Sequence, residues 1–135
     1  MDIDDSWNAY FYALYSDKGP KDSTRSIACK NPETAFNYAL DVDKCPRDDT
    51  REGACGDPRY AYDYSYYVDK CPRDDTRKAA CRDPYYAFYY AVGTDKCFNE
   101  TTYTAIHGDP FYSRLYDEYQ SEGGSLLNKA CFTMI

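Results

Sequence analysis

The sequence predicts an all-α fold, an α-solenoid of five 26-residue two-helix repeats closed by a divergent C-terminal capping unit. Three observations predict it. The stretch DPYYAFYYA at Asp83 recurs as DPRYAYDYS at Asp57, NPETAFNYA at Asn31, DPFYSRLYD at Asp109 and, worn, DSWNAYFYA at Asp5, so the units start near 5, 31, 57, 83 and 109 with no insertion between them. A second signature, VDKCPRDDTR, is written identically at Val42 and Val68; self-similarity at a fixed period of this size marks a solenoid or array. Aliphatics are also scarce: Ile, Leu and Val number 12 against 24 for Tyr, Phe and Trp. A core of rings, Ala and Cys suits thin layers whose tyrosine hydroxyls reach the margins, not a globule with a deep centre. The chain is expected to form a single helical repeat domain over 1–135.

Within each unit the Asp-Pro pair opens the first helix. Asp57, Asp83 and Asp109, with Asn31 in the second unit, are favoured N-caps, and the following Pro fits the first helical position, where a missing N–H costs nothing. Ala61, Tyr64, Ser65 and Val68 then fall on one helical face, as do Ala35, Tyr38, Ala39 and Val42. The small residues Ala35, Ala61 and Ala87 let neighbouring helices approach. Tyr12, Tyr38, Tyr64, Tyr90 and Tyr116 occupy one column and are expected to stack as a structural ladder. The helix stops at the recurring Asp-Lys pair (17–18, 43–44, 69–70, 95–96), with lysine near the negative helix end, and Pro20, Pro46 and Pro72 mark the turn.

The second helix is short. Ser23, Asp49, Asp75 and Thr101 share a column of good N-cap residues and are expected to open it. Its core column, Ala28, Ala54 and Ala80, becomes Ile106 in the fourth unit. The fifth unit diverges after Tyr119 into Gly123, Gly124 and a final amphipathic LLNKACF, as a terminal capping unit does.

The pattern DPxYAYxYA followed by a short capped helix resembles the tandem two-helix repeats found in many bacteriophage and some other viral proteins, a family mostly without assigned activity. The resemblance covers residues 5 to about 120. It implies a helical solenoid and a viral source, and it brings no catalytic residues. This chain departs from the pattern in carrying cysteines in two repeat columns.

Net charge is −7, with −3 on each of residues 1–16 and 95–120 and a near-neutral middle. That argues against binding a nucleic-acid backbone, which needs a basic stripe; an acidic surface for solubility is the simpler reading and a nucleic-acid mimic the sharper one. No apolar run approaches the roughly 20 residues of a membrane span, and the N-terminus lacks the basic start and apolar stretch of a signal peptide, so a cytoplasmic protein (host cytoplasm, if viral) is expected.

The chemistry-bearing residues read mostly as structural. Cys29, Cys55 and Cys81 form a column continued by His107; Cys45, Cys71 and Cys97 form another, and Cys131 lies outside both. Cys45 and Cys55 flank the short helix roughly 12–15 Å apart, too far for a disulfide, so reduced, partly buried thiols are expected. No C-x-x-C pair is present and the single histidine supplies no close ligand pair, so no metal and no cofactor are expected. A Cys81–His107 dyad would have to meet across a repeat boundary, and the acid pairs Asp48–Asp49 and Asp74–Asp75 read as helix-start residues, not as acid/base or Ca²⁺ groups. The sequon at Asn99 matters only in a secreted chain. No enzymatic activity is expected.

The remaining aromatics carry the functional expectation. Tyr60, Tyr62, Tyr66, Tyr67, Tyr85, Tyr86, Phe88 and Tyr89 crowd the two central units, beside Arg59 and Arg82, more than short helices can bury. Tyr with Arg is the composition of protein-binding surfaces; packing between units is the competing reading. The expected partner is another protein or complex, with inhibition of a host defence or nucleic-acid-processing complex as the leading function. An acidic mimic in a DNA- or RNA-binding groove, or a virion assembly component, are the alternatives.

Overall fold

The computed structural model describes residues 3–122, with side chains from 5 to 121. Gly123, Gly124, the LLNKACF stretch and Cys131 lie outside the described residues. Among those described there are nine α-helices and no strand, as an all-α repeat array requires.

Odd-numbered helices open the units: α1 (Ile3–Phe11), α3 (Pro32–Tyr38), α5 (Pro58–Asp63), α7 (Pro84–Tyr89) and α9 (Pro110–Glu122). Even-numbered ones follow: α2 (Asp22–Ala28), α4 (Asp48–Ala54), α6 (Asp74–Ala80) and α8 (Glu100–Ile106). Each even helix packs on the odd helix before it, and odd helices pack side by side from α1 to α9, giving two layers. Asn31, Asp57 and Asp83 cap α3, α5 and α7 through their side-chain oxygens with proline next, as the Asp-Pro signature predicts.

The first four odd helices do not end as plain α-helices. Tyr12–Asp17, Ala39–Asp43, Tyr64–Asp69 and Tyr90–Asp95 widen into π turns, closed by i+5 bonds such as Lys44 N–H to the Ala39 carbonyl and Lys96 N–H to that of Ala91, both 2.9 Å. Lys18, Lys44, Lys70 and Lys96 then take the left-handed conformation at φ 57–58° and stop the helix. That conformation disfavours residues with a Cβ, yet it recurs at all four boundaries, so the packing beyond it over-determines the turn.

The caps of the even helices correct the sequence-based expectation. Lys21, Arg47, Arg73 and Asn99 take the extended N-cap conformation, two residues ahead of Ser23, Asp49, Asp75 and Thr101. Lys21, Arg47 and Arg73 make no side-chain cap bond because a tyrosine from the next unit supplies the partner. The Arg47 backbone N–H donates to the Tyr64 hydroxyl at 2.9 Å, and that hydroxyl lies 3.0 Å from the Arg47 carbonyl and 2.7 Å from Thr50 Oγ1. Tyr38 repeats this on Lys21 and Thr24, and Tyr90 on Arg73 and Thr76. Asn99 instead caps its own helix through the Thr101 N–H, and Tyr116 accepts from Gln120.

Beside three of the ladder rings, Tyr38, Tyr64 and Tyr90, lies a buried ion pair. Arg25, Arg51 and Arg77 reach forward to Asp43, Asp69 and Asp95 at 2.6–2.7 Å, and each guanidinium lies 5.5–5.7 Å from the centre of Tyr38, Tyr64 or Tyr90. Burial raises the Asp95 carboxyl above its ordinary range, with Arg77 pulling the other way. At the fourth boundary Tyr103 replaces the arginine and Ser121 the aspartate together. Tyr103 there stacks on His107 at 4.0 Å and meets Tyr116 edge-on at 5.9 Å.

Tyr38, Tyr64, Tyr90 and Tyr116 are fully buried, as are Ala35, Ala61 and Ala87. Tyr12 is the exception and corrects the five-rung ladder: it is 58% exposed. Each buried rung packs on the even helix before it, and no helix precedes α1 among the described residues.

Candidate functional site

The outer surface of the odd-helix layer carries the aromatics. Positions that do not face the even helices fall on neighbouring odd helices at matching heights, so ring meets ring along the array. Phe36 contacts Tyr60 and Tyr67, Tyr67 contacts Tyr66, and Tyr66 contacts Tyr62. Tyr62 then meets Tyr89 across the unit boundary at 6.2 Å, Tyr89 meets Tyr85 at 4.9 Å, and Tyr85 meets Tyr86 and Tyr112. The result is one continuous belt from unit 2 to unit 5.

Gly93 makes the crossing between units 3 and 4 possible. A Cβ there would lie 3.0 Å from the Tyr62 hydroxyl and 3.6 Å from Tyr66. The equivalent position one unit earlier is Tyr67; a ring at 93 would fill the space that Tyr62 and Tyr66 use. Beside this crossing lies a cleft of 710 Å³ lined by Tyr66, Tyr67, Cys71 and Thr94, with the exposed Lys70 and Lys96 at its rim.

The residues expected to bind divide into three groups. Tyr66, Tyr85, Tyr89 and Arg59 are exposed, as is Tyr67. Tyr60, Tyr62 and Tyr86 are half-buried; Tyr62 and Tyr86 lie against the exposed rings of Tyr66, Tyr89 and Tyr85, while Tyr60 packs on the buried Phe36. Phe88 is buried, which removes it from the binding set; in its column Tyr10 and Phe36 are buried too, while Tyr62 is half-buried. The competing reading of inter-unit filler therefore holds for Phe88 and partly for Tyr60, Tyr62 and Tyr86.

Electrostatics follow burial. Desolvation pushes the Tyr62 hydroxyl up to about 12, and the ring stays neutral and a hydrogen-bond donor at any ordinary pH. Arg59 lies 5.1 Å from the centre of the Tyr60 ring and 3.5 Å from Asp63; burial raises the Asp63 carboxyl and Arg59 opposes it. Arg82 is held by the carbonyls of Ala79 and Cys55.

A second aromatic row went unnoticed in the sequence. Trp7, Phe11 and Tyr15, four residues apart on α1 and its π turn, stack at 5.8 and 6.1 Å. Phe11 and Tyr15 are exposed. The signal was present: Trp7 and Phe11 share columns with Tyr85 and Tyr89. Unit 2 carries Glu33, Asn37 and Asp41 at those positions, so a polar strip separates the row from the belt, and the Tyr10 hydroxyl reaches across it to Asp41 at 2.5 Å.

Other candidates are engaged structurally. His107 packs on Tyr103 and Tyr116 and lies 3.5 Å from Asp117. Asp48 and Asp74 pair with Arg51 and Arg77, while Asp49 and Asp75 pair with Arg47 and Arg73. Among the described residues no three His, Cys, Asp or Glu side chains group closely enough to hold a metal ion, and no helix is long and apolar enough to cross a membrane. No known family, curated protein or solved structure matches the chain.

Proposed function

We propose that this protein is a non-enzymatic binding module that captures another protein on the aromatic belt of its odd-helix layer. One observation carries the reading: Tyr66, Tyr67, Tyr85, Tyr89 and Phe111 remain exposed while locked against neighbouring rings. A tyrosine already held by its neighbours loses little freedom on binding and offers both a flat apolar face and a hydroxyl, the properties of interface anchors. We take that partner to be a host defence or nucleic-acid-processing complex and the protein to be its inhibitor, with the phage-like repeat pattern as support.

The test is quantitative capture of host proteins by the full chain and by a Tyr66→Ser/Tyr89→Ser variant at two salt concentrations. Loss of an anchoring ring costs about 2 kcal/mol, roughly thirtyfold in affinity. A partner retained by wild type, lost by the variant and indifferent to salt supports the reading. A partner that tolerates the variant but is lost when Asp5, Glu100, Asp117 and Glu118 become amides, or in modest salt, identifies an acidic mimic instead.

A further inference from the structure

The face of α1 that no described helix covers repeats the seat that units 2 to 4 offer to an even helix. In units 2 to 4 that seat consists of a ladder tyrosine and an aspartate, and it receives an arginine: Arg25 on Tyr38 and Asp43, Arg51 on Tyr64 and Asp69, Arg77 on Tyr90 and Asp95. Unit 1 has the same pair, Tyr12 and Asp17. The Asp17 side chain is only 10% exposed, and Lys21 reaches its Oδ1 at 3.1 Å from the solvent side. Its Oδ2 is buried and has no hydrogen-bond partner among the described residues. A buried carboxylate oxygen left unpaired is costly, and in the three equivalent aspartates both oxygens face a guanidinium.

From the Tyr12 ring a groove of 660 Å³ runs on, lined by Asn8, Ala9, Tyr12, Thr24 and Ile27. Asn8 and Ala9 are the counterparts of Thr34 and Ala35; Thr34 Oγ1 donates to the Ala28 carbonyl at the end of α2. The groove thus offers apolar floor, a hydrogen-bonding side chain and an exposed ring in the arrangement that holds α2, α4 and α6.

The geometry points to this end as a docking site for a helix of another protein bearing the pattern Thr-Arg-x-x-Ala. The arginine pairs with Asp17 and covers the Tyr12 ring, the threonine and the helix's first backbone N–H meet the Tyr12 hydroxyl, and the alanine lies against α1. This site is separate from the aromatic belt and does not depend on it.

The test titrates the full chain with a peptide of residues 72–82, closed by a lactam between the exposed Asp74 and Lys78 and carrying Cys81→Ser, and with its Arg77→Met form. Saturable 1:1 binding is expected, weakened at least tenfold by Arg77→Met in the peptide or Asp17→Asn in the protein, with little further loss when both are combined. Equal affinity in all four combinations, or no binding up to about 1 mM, overturns the proposal. Because Arg77→Met leaves the protein untouched, the result stands even if Asp17→Asn perturbs folding. Sedimentation without peptide separates the remaining occupant: self-association abolished by Asp17→Asn means that a second copy fills the seat, and it overturns the assignment to another protein.

Discussion

Gly53 lies against Ala35 where α4 crosses α3: a Cβ at 53 would lie 2.8 Å from the Ala35 Cβ and 2.7 Å from the Cys29 carbonyl oxygen. The same column holds Ile27, Ala79 and Ala105 elsewhere, and helix propensity alone favours Gly→Ala by about 1 kcal/mol. Both obstacles here are backbone or Cβ atoms and cannot rotate away. Gly53→Ala is therefore expected to destabilise, by about 1–3 kcal/mol, in a urea titration. A gain in stability would show that α3 and α4 can move apart freely.

The ladder predicts a gradient along the chain. Tyr64→Ala removes a fully buried ring and should cost about 3–5 kcal/mol. Tyr64→Phe keeps the ring but strips the hydroxyl that serves the Arg47 N–H and Thr50, at about 1–3 kcal/mol. Tyr12→Ala should stay within about 0.5 kcal/mol. Equal losses at 12 and 64 in denaturant melts would refute the burial difference.

The Arg51–Asp69 bridge is buried on both sides, with side-chain exposures of 7% and 2%. Asp69→Asn strands the guanidinium and should cost about 3–5 kcal/mol. Replacing both partners, Arg51→Met with Asp69→Leu, should cost clearly less than that single change. Asp48, the exposed second partner of Arg51, should be replaceable by Asn with no measurable shift of the midpoint. If Asp48→Asn matches Asp69→Asn, the forward bridge is not the one that holds the boundary.

The thiols should separate into two classes. Burial raises Cys29 from 9.0 to about 12 and Cys55 and Cys81 to about 11, while Cys45 and Cys71 are exposed. In the native protein iodoacetamide should modify Cys45 and Cys71 well before the other three, since the thiolate is the reacting form. The same shift makes stability depend on pH. A raised folded value favours the neutral thiol, so the contribution is complete below pH 9.0 and lost as pH climbs toward 11–12. Tyr90, raised from 10.0 to about 12 by burial, acts with the same sign. A thermal midpoint constant from pH 9 to 12 would exclude this linkage.

The period, the Asp-Pro starts and the tyrosine column were legible because each is a local rule repeated in register. What escaped the sequence is what one unit does for another. The N-cap of α4 is Arg47, a residue with no capping side chain, because its partner is a hydroxyl 17 positions ahead. The π turns have no compositional mark: Tyr12–Asp17 widens like the other three although Asp17 meets no arginine among the described residues. For the candidate site, aromatic content pointed to the right helices. The face each ring takes is not written in composition: Phe88 turns inward, Phe11, Tyr15 and Phe111 turn outward, and Tyr62, in the column of Phe88, is half-buried.

The identical seating at successive boundaries makes copy number a variable. Excising residues 57–82 would bring Tyr90 and Asp95 to the stations of Tyr64 and Asp69, facing the same Arg47, Thr50 and Arg51, with Gly53 still opposite Ala35. An in-frame recombination between neighbouring units thus creates no foreign junction, and lineages can lengthen or shorten the array without first evolving new contacts. Such an event leaves the scaffold intact and changes the number of rings in the belt, so that the reach of the protein across a partner can evolve in whole-unit steps.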